Sequence, residues 1–150
     1  LFDVFVVSIS TNLIFRAKIF DSLKSLKIPS VNLIHPNVYV GSNLKIGEGN
    51  IIFGSVNIGP EVNIGNNNFI SSFSNIEHHC NINSNCTFGP GVIFSGSVTV
   101  NNNVKFGTGI FCEPNITIGE KSIISSGFII TRNVKDNSIL ITKIEQYYKK

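Results

Sequence analysis

The segment Ile58-Gly59-Pro60-Glu61-Val62-Asn63-Ile64-Gly65-Asn66-Asn67-Asn68-Phe69-Ile70 shows the pattern that decides the fold, because a branched apolar residue returns at every sixth position. Extended in both directions, the same count runs from Ile34 through Val40, Ile46 and Ile52. Beyond Ile70 it continues through Ile76, Ile82, Phe88, Phe94, Val100, Phe106, Cys112, Ile118 and Ile124 to Ile130 without a slip. A second, smaller apolar set falls four places later: Val38, Leu44, Val56, Val62, Cys80, Cys86, Val92, Val98, Val104, Ile110 and Ile116. An amphipathic helix repeats every 3.6 residues and a half-buried strand every two, so neither fits a period of six. Short self-similar units of this length indicate a solenoid in which each coil buries its apolar residues against the next.

Three such units per triangular coil give a turn of roughly 18 residues, with neighbouring strands about 4.8 Å apart. Each inward residue then stacks on its equivalent one coil away, as Ile46 on Ile64 on Ile82. The Gly and Asn residues between them, as in Ile46-Gly47 and Ile64-Gly65-Asn66-Asn67-Asn68, are expected at corners that need positive φ. The count has no insertion, so a site must lie on the faces or corners of the prism. It fades at Thr131-Arg132-Asn133-Val134, after which Ser138 to Thr142 reads as a short strand and Lys143 to Lys150 as a polar helical end. This last piece is expected to cover the open edge of the final coil.

Ahead of the repeat, Val4 to Ile9 is a continuous apolar run suited to a buried parallel strand. Thr11 or Asn12 can cap a following helix, with Leu13, Ala17, Phe20, Leu23 and Leu26 on its apolar face. Arg16, Lys18, Asp21 and Lys24 are expected to face water. Pro29 ends the helix, and Val31 to Ile34 reads as a second strand. Such a strand–helix–strand unit is the building block of doubly wound sheets, but here it has no glycine-rich phosphate loop. The expected organisation is therefore residues 1–33 as the end of an α/β nucleotide-sugar-binding domain, 34–135 as the solenoid and 136–150 as a cap. The absence of an initial Met reads as a longer protein cut at this point. His35-Pro36 marks the junction, with His35 a solvent-facing linker residue.

Composition excludes several classes. The 150 residues include 42% hydrophobic and only 14% charged, and the formal net charge of +3 is scattered, which argues against nucleic-acid binding. No apolar run approaches the roughly 20 residues of a membrane span. The start Leu1-Phe2-Asp3-Val4 is a poor secretory signal. Cys80, Cys86 and Cys112 all occupy inward positions, so they read as buried, reduced thiols of a cytoplasmic protein, with no disulfide framework and no metal-ligand spacing.

One unit departs from the pattern. Ile76-Glu77-His78-His79-Cys80 puts a carboxylate and two imidazoles where other units have Gly, Asn or Ser. A histidine beside a carboxylate suits a general base, since imidazole titrates near neutrality and the acid fixes its tautomer. Two histidines on a polar corner also suit plain solvated surface, and spacing alone leaves both readings open.

The stretch resembles the bacterial hexapeptide-repeat acyltransferases with a left-handed β-helix, and among them the sialic acid O-acetyltransferase and UDP-amino-sugar N-acetyltransferase group. Ile34-His35-Pro36, Ile76-Glu77-His78, Gly89-Pro90-Gly91, Gly96, Gly107-Thr108-Gly109 and Gly127 through Ile130-Thr131 carry the likeness. It implies an all-β, left-handed parallel β-helix preceded by a strand–helix–strand remnant of an α/β domain. It also implies an acetyl-CoA-dependent acetyltransferase acting on an amino or hydroxy group of a nucleotide-linked sugar, assembled as a homotrimer and needing no metal. In that group His78 would be the base, Glu77 the acid that orients it and Gly96 the oxyanion donor. Thr87, Gly96, Gly107, Gly109 and Gly127 would line the CoA groove between subunits, and Ser71 and His79 would meet the substrate. Departures are His79 where the group carries Asp or Glu, Thr87 in place of a second histidine, Ser71 in place of Asn, and no Gly-x-Pro-Ala-Lys segment after Val134. These leave a second reading, a catalytically degenerate β-helix serving as a scaffold or trimerisation module. A zinc-dependent hydratase of the γ-carbonic anhydrase type would need three converging histidines, and an ice-binding solenoid would need threonine ladders; the sequence offers neither.

Overall fold

The computed structural model describes residues 4–142. From Leu33 onward the chain forms a three-faced solenoid of two-residue parallel strands. The first face holds seven strands, from Leu33–Ile34 to Ile139–Leu140, the second six, from Tyr39–Val40 to Ile129–Ile130, and the third five, from Lys45–Ile46 to Thr117–Ile118. Up to the last coil, each strand pairs with the strand 18 residues on, as Ile46 with Ile64 and Ile64 with Ile82. This is an all-β parallel solenoid of about six turns, consistent with a left-handed β-helix. The six-residue count therefore predicted both the strands and their register.

The interior is made by the two apolar sets. Ile58, Ile70, Ile76, Phe88, Phe94, Val100 and Ile118 are wholly buried, as are Val62, Val92, Val98 and Ile110 from the second set. Full burial of side chains of this size stabilises by roughly 1.5–3 kcal/mol each. Phe88, Phe94 and Phe106 meet in mid-prism, with ring centroids 4.9 to 5.5 Å apart. One inner column is polar. Asn32 Oδ1 accepts from the Asn50 backbone N–H, Asn50 Oδ1 from that of Asn68, and Asn68 Oδ1 from that of Cys86. This amide ladder satisfies buried N–H groups that apolar side chains would leave unpaired.

The corners correct one expectation. Positive φ falls at a single phase of the repeat, every sixth residue from Asn43 to Gly127, and most of these positions are not glycine. The glycine directly after an inward residue does a different job. A Cβ on Gly47 would lie 2.0 Å from Asn66 Oδ1 and 2.8 Å from the Gly65 carbonyl oxygen, so close approach of successive coils is what excludes a side chain. Phe73 is the exception among the positive-φ residues, a bulky side chain at φ 61° with 71% of its surface exposed.

The register shortens from 18 to 16 residues at the end, where Val134 bridges Ile118 and Ile139 pairs with Ile123. The expected strand between Ser138 and Thr142 is thus present on the first face. The polar helical end expected for 143–150 lies outside the described residues.

The helix α1 spans Leu13–Ser25, and the Asn12 side chain caps it by accepting from the Phe15 N–H. The run Val4 to Ile9 contributes a single parallel bridge, Phe5 with Ser30, and not a full strand. Leu33–Ile34, the end of the expected second strand, pairs with Ile51–Ile52 and so begins the solenoid. Arg16 also departs from expectation: it is 1% exposed, not wet. Its Nη1 donates to the Ile9 carbonyl and Thr87 Oγ1, and its Nη2 to the Cys86 carbonyl, which pins α1 against the first face. A Lys24–Glu48 ion pair of 2.6 Å adds a second tie.

Candidate active site

His78 and His79 follow the second-face strand Asn75–Ile76, on the corner leading to the third face. The backbone here is held by the coils on both sides. Glu77 N–H donates to Phe94 O, His79 N–H to Pro60 O, and His78 O accepts from Ser97 N–H. His79 occupies the positive-φ position of the corner, at 59°. Both imidazoles are exposed.

Gly96 lies one coil above. A Cβ built there would sit 2.4 Å from His78 Cε1 and 2.6 Å from Nε2, so the imidazole occupies the space a side chain would take. Gly59, one coil below, is close to the backbone instead: its Cβ would lie 2.8 Å from the His78 backbone nitrogen. The His78 ring therefore rests on bare backbone at Gly96, while Gly59 crowds only the backbone of Glu77 and His78. Gly96 O accepts from Asn115 N–H, while the Gly96 N–H meets no acceptor among the described residues.

The acid expected to orient His78 is committed elsewhere. Glu77 Oε1 accepts from Asn75 Nδ2 at 2.7 Å, whereas His78 Nδ1 is met by His79 Nδ1 at 3.0 Å. Adjacency in sequence offered both flanking residues, and only the folded corner distinguishes them. Thr87 also departs from its expected role. It is 7% exposed beneath α1, and its hydroxyl is taken by Arg16, so it is covered on the first face and does not join His78. Ser71 stands on the corner between the first and second faces, where its carbonyl accepts from Ser74 Oγ. His35 is exposed as expected, its Nδ1 accepting from Asn37 N–H and its ring resting on Gly54.

The three later glycines separate into two kinds. A Cβ on Gly107 would lie 2.5 Å from the Ser126 nitrogen, so coil packing accounts for it. Gly109 and Gly127, at φ 63° and 71°, have nothing within 4 Å of a built Cβ. With Gly91 they form a bare edge between the first and second faces. This edge and the His78 corner border the same second face, whose outward side carries the exposed Phe111 and Ile129.

Burial raises the thiols: Cys80 to about 11, with further rise from the Glu77 charge, and Cys86 and Cys112 to about 12. They are inert core residues at neutral pH. Among the described residues no group of three or more His, Cys, Asp or Glu side chains gathers to hold a metal, and no helix is long and apolar enough to cross a membrane. The most apolar cleft, between α1 and the first face, is lined by Leu13, Ile14, Ala17, Lys105 and Ile123 and lies apart from the His78 corner.

Residues 61–96 match the family model described as bacterial transferase hexapeptide (six repeats). No curated protein sequence matches the chain. Among solved structures, it is similar to PerB from Caulobacter crescentus in complex with CoA and GDP-perosamine, at 28% identity and a TM-score of 0.87, over 91% of this chain and 66% of that one. A histidine-to-alanine mutant of GDP-perosamine N-acetyltransferase from the same organism, also with CoA and GDP-perosamine, gives 27% identity and a TM-score of 0.87, over 91% and 65%. The acetyltransferase domain of PglB from Neisseria gonorrhoeae shares the fold, with a TM-score of 0.86 at 20% identity, over 89% and 65%. The chain spans about two thirds of the length of these proteins. The resemblance to hexapeptide-repeat transferases is borne out, and these similar structures are of sugar N-acetyltransferases or an acetyltransferase domain.

Proposed function

We propose that this chain carries the acyl-transfer site of an acetyl-CoA-dependent sugar acetyltransferase, with His78 as general base. The observation that carries the reading is the His78 imidazole seated against Gly96, a residue whose backbone N–H meets no acceptor among the described residues. The amine or hydroxyl of the sugar attacks the thioester carbonyl of acetyl-CoA, forming the new C–N or C–O bond while its proton passes to His78 Nε2. The Gly96 N–H stabilises the oxyanion. When the C–S bond breaks, His78 returns that proton to the departing thiolate. CoA bound to PerB supports this choice of donor, and the GDP-perosamine in the same complex supports a nucleotide-linked sugar as acceptor.

Gly109 and Gly127 give CoA a path free of side chains, and they leave the His78 corner across the width of the second face. A homotrimer that packs the apolar end of this face, with Phe111 and Ile129, against a neighbouring copy would bring a glycine edge and a His78 corner to one groove. In residues 4–33, α1 connects the parallel bridge of Phe5 with Ser30, an α/β arrangement that supports a nucleotide-holding role for this part of the chain. Use of acetyl-CoA and reduced thiols fit a cytoplasmic enzyme.

The test is calorimetric titration with acetyl-CoA, paired with acetyl transfer to a panel of nucleotide-linked amino sugars. Micromolar binding, and transfer that disappears in His78→Ala while binding persists, is the expected result. Full transfer by His78→Ala would refute the base assignment. Absence of CoA binding by the folded protein would favour the scaffold reading, which the burial of Thr87 under Arg16 supports.

A further inference from the structure

The contact between His78 and His79 is the feature of the site that this reaction scheme leaves unused. Their Nδ1 atoms are 3.0 Å apart, and their rings stand nearly perpendicular, at 84°. Two ring nitrogens at that distance form a hydrogen bond only if one carries a proton and the other a lone pair. The residues around the pair give it no other charged partner. Glu77 is held by Asn75, and Glu61, one coil below His79, accepts from Asn43 Nδ2. Gly59 and Pro60 lie below the pair and Gly96 and Ser97 above it, with Glu113 a further coil on. Among the described residues neither imidazole is in an ion pair.

We propose that His79 is the positioning residue for His78. Its Nδ1 lone pair accepts the Nδ1–H of His78, which holds His78 in the tautomer whose Nε2 is free to act as base beside Gly96. This role rests on the acyl-transfer reading. When Nε2 takes the acceptor's proton, the Nδ1–H···Nδ1 bond becomes charge-assisted and strengthens. The charge generated during attack is shared with a second imidazole, and no carboxylate is required. His79 exchanges no proton with the substrate. The corner backbone sets the approach of the two rings, because His79 is fixed at φ 59° with its N–H on Pro60 O.

The experiment uses the full chain labelled with 15N, at a pH where both rings are neutral, and long-range 1H–15N correlations that report each tautomer. His78 is expected as Nδ1–H. It is expected to revert to Nε2–H in His79→Gly, a substitution the positive φ tolerates without strain. In the same variant kcat should fall on the order of 10- to 100-fold with KM for acetyl-CoA little changed, the size of effect seen for partners that orient a metal-bound imidazole. His79→Asp, which restores an acceptor, should recover most of the loss. A His78 that is Nε2–H in the unsubstituted protein, or a tautomer indifferent to His79→Gly, overturns the proposal. So does full kcat in that variant. If the tautomer responds as expected but the chain transfers no acetyl group, the acyl-transfer reading fails, and the catalytic role of His79 with it.

Discussion

Substituting Gly96 with alanine tests the site through its narrowest dimension. The added Cβ would lie 2.4 Å from His78 Cε1 and 2.6 Å from Nε2, whereas ordinary van der Waals contact begins at 3.4 Å. The ring must therefore retreat by about 1 Å, a displacement that can cost on the order of 100-fold when a reacting group is misplaced. That corresponds to about 2.7 kcal/mol of transition-state stabilisation. The fold should survive, because the obstructed atoms belong to an exposed side chain and not to backbone. The assay is kcat for acetyl transfer by Gly96→Ala, His78→Ala and the double variant, with thermal unfolding of each. Gly96→Ala should lose roughly two orders of magnitude at nearly unchanged Tm, and it should lose almost nothing further in the His78→Ala background, since residues acting as a unit are non-additive. Unimpaired transfer by Gly96→Ala, or a full additional loss on top of His78→Ala, would refute the coupling of the two residues.

Arg16→Ala removes three hydrogen bonds and leaves a cavity under α1, so a loss of about 3 kcal/mol is expected. Early protease cleavage within 1–33, while the solenoid keeps its β-sheet circular dichroism, would show it; protease resistance equal to the parent would count against the tie. The buried thiols should resist a thiol reagent at pH 8 until the protein is denatured. Their folded values of about 11 to 12 lie above the ordinary 9.0, so stability is complete below about pH 9 and falls as the pH rises past it. Unfolding followed upward from pH 8 should show the decline, and substituting all three cysteines with alanine should flatten it. Phe73→Asn should stabilise by about 1 kcal/mol, because asparagine accepts positive φ and the exposed ring gives up little packing. An unchanged or lower Tm would mean that the ring packs against something in solution.

Much of the architecture was legible because the repeat couples local and distant structure. One inward residue in every six specifies the strands, and three units per coil specify the pairing, so Gly96 could be placed over His78 from an 18-residue interval alone. Side-chain partners were less legible. Glu77 and His79 flank His78 equally in sequence, and which one meets Nδ1 depends on the corner's φ and on Asn75, which takes the carboxylate. Arg16 read as solvent-facing because helical periodicity separates faces but cannot identify what covers them. The guanidinium is buried because the first face presents Thr87 Oγ1 and the Cys86 carbonyl as acceptors, two groups some 70 residues away in the chain. The same contact removes Thr87 from the site. Gly107 and Gly109 looked alike in sequence, but the next coil crowds Gly107 while Gly109 sits at positive φ in open space.

The site's geometry is set by backbone ladders more than by side-chain support. Glu77, His78 and His79 each make a backbone hydrogen bond to the coil above or below, and those coils are themselves locked in register by the inward stacks. A reacting histidine held in this way needs few neighbouring side chains to keep its position, because moving it requires breaking register across several coils. What the side chains still decide is the imidazole's tautomer, and there a second imidazole meets Nδ1 in place of the carboxylate that the family resemblance implies. An effect on chemistry without an effect on stability is therefore expected at His79. At Arg16 the reverse holds, since its contacts are to Ile9 and the first face and none reaches the His78 corner.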